Sequence, residues 1–193
     1  MIEIQNLTKV FQEQTVLQNI NATFDAGLIH GVIGKNGAGK TVLLRLLCGF
    51  APDAGIIIET PCFLPYLSGF QNLKELASIR NIISKEEIAE AMEQVKLDPA
   101  SRKHVGKYSL GMRQRLGIAQ AIMERPRYLI LDEPMNGLDT QGMEDVRELL
   151  QKQKETGVTV ILASHSMEDI RILCDTVHRI QDASLIPCTT EFS

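Results

Sequence analysis

Gly34, Lys35, Asn36, Gly37, Ala38, Gly39, Lys40 and Thr41 follow one another as Gly-x-x-x-x-Gly-Lys-Thr, between an apolar run at 28–33 and a leucine-rich stretch at 42–47. Glycines at these intervals let backbone N–H groups converge on one anion without Cβ clashes, and a helix starting there adds its positive end. Lys40 supplies a point charge that can reach β- and γ-phosphates, and the Thr41 hydroxyl is suited to ligate Mg²⁺. The chemistry implied is the gripping of a nucleoside triphosphate. A second constellation lies at Leu129-Ile130-Leu131-Asp132-Glu133-Pro134, where two adjacent carboxylates stand at the end of an apolar run. Ligands of open α/β sheets collect at the carboxyl ends of strands. Asp132 is therefore expected to hold Mg²⁺, and Glu133 to orient and deprotonate an attacking water.

The elements that must carry these groups are legible from periodicity. Ile2, Ile4 and residues 15–24 alternate apolar and polar side chains, which predicts half-buried strands joined by a turn at 12–14. Residues 28–33 predict a buried strand, with His30 inside it as a packed core histidine, and residues 42–47 a helix with one apolar side. Ala51-Pro52-Asp53-Ala54-Gly55 breaks the pattern before a β-branched run at 56–58. From about 61 to 107 the character is helical; Ser84-Lys85-Glu86-Glu87 is a capping box, with Ile88, Met92 and Val95 on one face behind it. Met112, Leu116, Ala119 and Met123 recur at helical spacing, followed by a strand at 128–131, a helix at 140–155 and a strand at 158–163 that His165 closes. Strands alternating with helices indicate a parallel sheet covered on both faces. The tail 189–193 reads as a frayed or shortened end.

Bulk properties narrow the function classes. A chain of 193 residues that is 44% hydrophobic suits one compact unit with a lobe inserted into it. A net charge of −4, with Lys and Arg scattered, supplies no basic stripe, so no nucleic-acid partner is expected. Cys48, Cys62, Cys174 and Cys188 lack zinc-type spacing and are expected to behave as small hydrophobes in a reduced setting. No apolar run approaches the ~20 residues that span a bilayer, so work at a membrane requires another subunit.

The order of motifs resembles the ATP-binding subunits of ABC transporters over nearly the whole chain. The resemblance rests on Gly34 to Thr41 (Walker A), Tyr108-Ser109-Leu110-Gly111-Met112 (the signature), Ile130 to Pro134 (Walker B), Asn136-Gly137-Leu138-Asp139 (the D-loop) and Ala163-Ser164-His165 (the switch histidine). It implies an α/β P-loop NTPase core, 1–60 and 119–193, with a helical lobe at about 61–118. It implies ATP and Mg²⁺, with Lys40, Glu133 and His165 catalytic, and Gly34, Asn36, Gly37, Ala38, Gly39, Lys40, Thr41 and Val42 around the phosphates. Phe11 would stack on adenine. Ser109 and Gly111 would contact the γ-phosphate of ATP bound to a second copy or a similar subunit. A separate permease would hold the protein on the inner, cytoplasmic face of the membrane.

The sequence also departs from that pattern. Gly55 runs almost directly into Ile56-Ile57-Ile58-Glu59, so the antiparallel β lobe is trimmed, and the Q-loop position falls on Glu59 rather than on Gln71, which reads as helix. Glu59 is expected to touch Mg²⁺ or its water, with an added negative charge. Val42 replaces a hydroxyl residue, leaving only its N–H for phosphate. Leu110 and Met112 in the signature resemble ATPases of bacterial peptide-antibiotic and multidrug exporters. The chain stops soon after the strand around 177–180, so helices that often follow in relatives are expected to be absent. The expected function is therefore an exporter motor; the alternative is a non-transport ABC protein acting as a clamp on the ribosome or on DNA.

Overall fold

Continuous apolar strands form where both faces of a sheet are covered, and the computed structural model, which describes residues 1–59 and 61–188, has this arrangement. The tail 189–193 lies outside the described residues. The chain runs β1 (Ile2–Phe11), β2 (Gln14–Phe24), β3 (Ile29–Gly34), α1 (Lys40–Phe50), β4 (Ala54–Ile57), α2 (Gly69–Arg80), α3 (Lys85–Gln94), α4 (Leu110–Ile122), β5 (Tyr128–Asp132), α5 (Thr140–Glu155), β6 (Thr159–Ala163), α6 (Met167–Leu173), β7 (Thr176–Gln181) and β8 (Ser184–Pro187). Six strands form one sheet in the order β4-β5-β6-β3-β7-β8, and β1 and β2 pair as a separate antiparallel ribbon.

Alternation within the sheet divides the core in two. Leu129 and Leu131 of β5, and Val160 and Leu162 of β6, point to one cluster with residues of α2, α3, α4 and α5. Ile130, Ile161 and Ala163 point to the other, with Leu43, Leu44 and Leu47 of α1 and Leu17, Ile20 and Phe24 of β2. The trimmed β lobe is thus a single ribbon that closes over α1. α4 runs unbroken through position 118, and Leu73, Ile88 and Met92 of the helical region share a cluster with Leu129 and Val146, so the lobe and the sheet bury one continuous core.

Local signals account for the helix starts. Ser68 and Gln71 form a capping box on α2, Ser84 and Glu87 one on α3, and Ser166 accepts from the Asp169 N–H on α6. The capping box occupies Gln71, whose Oε1 accepts from the Ser68 N–H at 2.9 Å. His30 is 1% exposed, and its Nε2 lies 2.9 Å from the Asp25 carbonyl oxygen. A carbonyl only accepts, so Nε2 carries the proton and Nδ1 receives the Thr176 hydroxyl at 2.7 Å. Strand β8 was not anticipated: it pairs antiparallel with β7 through a turn in which Asp182 (φ +48°) and Ala183 (φ +59°) are both left-handed. That turn type favours glycine, and Asp-Ala gives no comparable warning in sequence.

Candidate nucleotide site

The chain leaves β3 at Gly34, turns through residues 35–39 and enters α1 at Lys40. Gly39 takes φ +104°, and a Cβ there would stand 3.0 Å from Val16 Cγ1 and 3.3 Å from the Val16 carbonyl oxygen, so only glycine lets the loop lie this close to β2. As the N-cap, Gly39 also offers no side chain to the first-turn N–H groups of α1. A Cβ on Gly37 would meet nothing within 4 Å. These donors border a cavity of about 590 Å³, a size suited to a nucleotide.

Named contacts hold the chemical groups in and around this cavity. The Lys40 ammonium curls back on the loop and donates to the Gly34 carbonyl at 2.9 Å. The Thr41 hydroxyl donates to Asp132 Oδ2 at 2.5 Å, bringing the start of α1 to the end of β5. Asp132 pairs in register with Ala163, and one residue later the Glu133 N–H donates to the Ala163 carbonyl at 2.9 Å. Glu133 is left-handed, with φ +49°, which bends the chain off the strand and turns its carboxylate toward the loop after β6. Glu133 Oε2 lies 2.8 Å from His165 Nδ1 and accepts the His165 backbone N–H at 3.3 Å.

Of the residues singled out from sequence, Asn36, Gly37, Gly39, Lys40, Thr41, Val42, Glu59, Asp132 and Glu133 line one cavity. Gly34 and Ala38 lie behind the loop: a Cβ on Gly34 would stand 3.3 Å from that of Ala38, and Ala38 packs against the core beneath α1. His165 does not line the cavity and reaches it through Glu133. Phe11 also falls outside: it is half-exposed at the end of β1 with the Lys9 ammonium 5.0 Å from its ring centre, and the ribbon contributes Gln14 and Val16 to the cavity instead. Ser109 is the N-cap of α4, its Oγ accepting the Met112 N–H at 3.1 Å, and a Cβ on Gly111 would approach the Gly137 carbonyl at 2.9 Å. Neither lines this chain's own cavity, although Leu110 between them does.

Glu59 sits at the cavity rim, but its carboxylate is engaged by a group that sequence reading missed. Arg45 Nη2 lies 2.5 Å from Glu59 Oε1. The only advance signal was spacing, because Arg45 stands one helical turn beyond Thr41. Gln114 was missed as well; it is buried in the cavity wall, and its Nε2 donates to the Pro134 carbonyl at 3.1 Å.

The residues suit a polyphosphate with Mg²⁺. Uncapped N–H groups and a nearby ammonium are donors suited to phosphate, while the Thr41 hydroxyl and Asp132 carboxylate are hard oxygen ligands held together. Among the described residues no group of three or more His, Cys, Asp and Glu could hold an ion alone. A small cation here would complete its shell with phosphate oxygens and water, as Mg²⁺ does.

The profile of the family described as ABC transporter matches residues 17–136, a stretch that carries the phosphate loop, the signature and both acids. The chain belongs to the ABC transporter family. An uncharacterized ABC transporter ATP-binding protein of Bacillus subtilis, YybJ, is 43% identical, covering 91% of this chain and 90% of its own. The bacitracin transport ATP-binding protein BcrA of Enterococcus faecalis is 39% identical, covering 96% of this chain and 68% of its own. The lantibiotic transport ATP-binding protein SrtF of Streptococcus pyogenes is 33% identical over 96% of this chain and 89% of its own. Among solved structures, an ATP-binding subunit of an ABC transporter superposes with a TM-score of 0.86 at 23% identity, covering 97% of this chain and 89% of that one. A dimeric ATP-binding cassette in a post-hydrolysis state with ADP and Pi superposes with a TM-score of 0.85 at 18% identity, over 96% of each chain. At these identities the superpositions establish the fold, that of an ABC ATPase cassette. Among its described residues, this ABC ATPase has no helix long and apolar enough to cross a membrane.

Proposed function

We propose that this ABC ATPase is the motor of a peptide-antibiotic exporter: two copies, or one copy and a similar subunit, close around two ATP molecules and drive a separate permease. The observation that carries the reading is the convergence of Lys40, Thr41, Asp132 and Glu133 on one cavity, with His165 bonded to Glu133. The relatives named for bacitracin and lantibiotic transport, together with the Tyr-Ser-Leu-Gly-Met signature, support the substrate class and the outward direction. A permease as anchor would keep the protein on the inner face of the membrane.

The roles follow from the donors. The loop N–H groups and Lys40 bind the β- and γ-phosphates; to do so the Lys40 ammonium leaves the Gly34 carbonyl it now contacts. Thr41 and Asp132 would hold Mg²⁺, which when bound supplies electrostatic stabilisation of charge on the phosphate oxygens. Glu133 orients water and accepts its proton. His165 fixes the Glu133 carboxylate from Nδ1, leaving Nε2 to donate to the γ-phosphate when the ring is charged. Phe11, half-exposed beside the cavity wall, is the group proposed to meet the adenine ring. Ser109 and Gly111 open the thirteen-residue helix α4 and lie off this chain's own cavity, which supports a contact with ATP held by the other protomer.

Phosphate release measured across protein concentration tests the motor reading. Specific activity should rise with concentration, and Ser109→Arg should abolish the rise. A rate independent of concentration and untouched by Ser109→Arg would refute the shared site. Purification from membranes should bring a multi-spanning protein with the ATPase; recovery of rRNA or DNA in its place would favour the clamp.

A further inference from the structure

Glu59 is a carboxylate on the wall of a cavity that binds a polyanion. That wall carries three carboxylates, Glu59, Asp132 and Glu133, against the single ammonium of Lys40. Asp132 accepts the Thr41 hydroxyl and Glu133 is bonded to His165, whereas Glu59 is met by a permanent cation, Arg45, at 2.5 Å. Glu59 is also left-handed at φ +64°, a backbone state that persists in non-glycine residues where the surroundings hold it. Arg45 belongs to α1, the helix that begins at the phosphate loop, so its backbone is tied to that loop and the ion pair with Glu59 directs its guanidinium to the rim. With side-chain exposures of 58% and 65%, the pair adds little to stability, and its effect falls instead on the field of the cavity.

We propose that Arg45 is a positioning residue that holds the Glu59 carboxylate at the rim and cancels its charge, which makes an acidic residue at this position compatible with nucleotide binding. The proposal rests on the reading of the cavity as the ATP site. It makes Arg45 and Glu59 one functional unit: either alone alters the affinity for a polyphosphate, and both together leave it nearly unchanged.

Equilibrium binding of trinitrophenyl-ATP to the purified full chain in chelator, without metal, tests this. Arg45→Gln should weaken binding by about threefold to tenfold, the effect expected of one uncancelled charge on the cavity wall. Glu59→Gln should tighten binding slightly, the double variant should return close to the unaltered protein, and Arg45→Lys should restore most of the loss. The Arg45→Gln loss should also shrink at high salt, which a packing defect would not do. Equal loss from Arg45→Gln with and without Glu59→Gln, or no loss at all, overturns the proposal. Lys40→Ala separates it from the reading beneath it: if the unaltered protein binds no better than Lys40→Ala, the ATP site itself is misassigned. If Lys40 matters and Arg45 does not, the site stands and only the role of Arg45 falls.

Discussion

Glu133 is held in place by its own left-handed backbone, by a main-chain bond to Ala163 and by the His165 ring. A carboxylate fixed this way is suited to water activation, and its removal should separate chemistry from binding. Glu133→Gln should lower kcat by roughly 100-fold or more while nucleotide affinity stays near that of the unaltered protein. Single-turnover phosphate release beside equilibrium ATP binding checks this, and an unchanged rate would move the base elsewhere. Both acids and the lysine were legible as residues in a pattern. The bonds that aim them were not, because His165 and Glu133 are 32 positions apart and no local rule ties the geometry of one to the other.

At the scale of elements, the helical region depends on its caps and β4 depends on its glycine. Ser84 accepts the Glu87 N–H while the Glu87 carboxylate accepts the Ser84 N–H, a reciprocal pair at the start of α3. Ser84→Ala should cost about 1 kcal/mol, and in a chain of this size should lower Tm by about 2–4 °C. Calorimetry of the unliganded protein is the check. Gly55 is a harsher position: a Cβ there would lie 1.8 Å from the Ala121 carbonyl oxygen, because α4 rests directly on β4. Gly55→Val should therefore destabilise by about 3 kcal/mol or more, since backbone on both sides must move. A variant that melts with the unaltered protein would mean that α4 does not bear on β4 in solution. The capping boxes were readable in advance as local sequence. The close approach of α4 to β4 was not, since Gly55 and Ala121 meet only through the sheet edge.

For the molecule as a whole, buried His30 and partly buried His178 link folding to acidity. Burial lowers the pKa of both His30 and His178 from 6.5, and at His30 the hydrogen bond to the Asp25 backbone, with the Asp25 and Asp175 charges, offsets only part of that. The folded chain holds these rings neutral, whereas the unfolded chain protonates them near 6.5. Their contribution to stability is thus complete above about pH 6.5 and is lost as pH falls through the lowered folded values. Thermal melts from about pH 7.5 to 5 should show Tm falling with acidity. His178 is the sharper probe, because its buried Nδ1 has no hydrogen-bond partner among the described residues. His178→Leu should flatten the slope below about pH 6.5, and an unchanged slope would clear this ring of any part in it.

The order of short motifs, the two periodicities and the capping residues were enough to read an ABC ATPase: each is a local pattern, and local geometry sets how a strand, a phosphate loop or a helix start is made. Assembly of the site needed contacts between segments far apart in the chain. Thr41 meets Asp132 from 91 positions away, Glu133 meets His165 from 32, and Gln14 enters the cavity while Phe11 does not. Such contacts follow from how the ribbon, α1 and the sheet edge pack together. Packing is a property of the whole core, and no single segment contains the information for it.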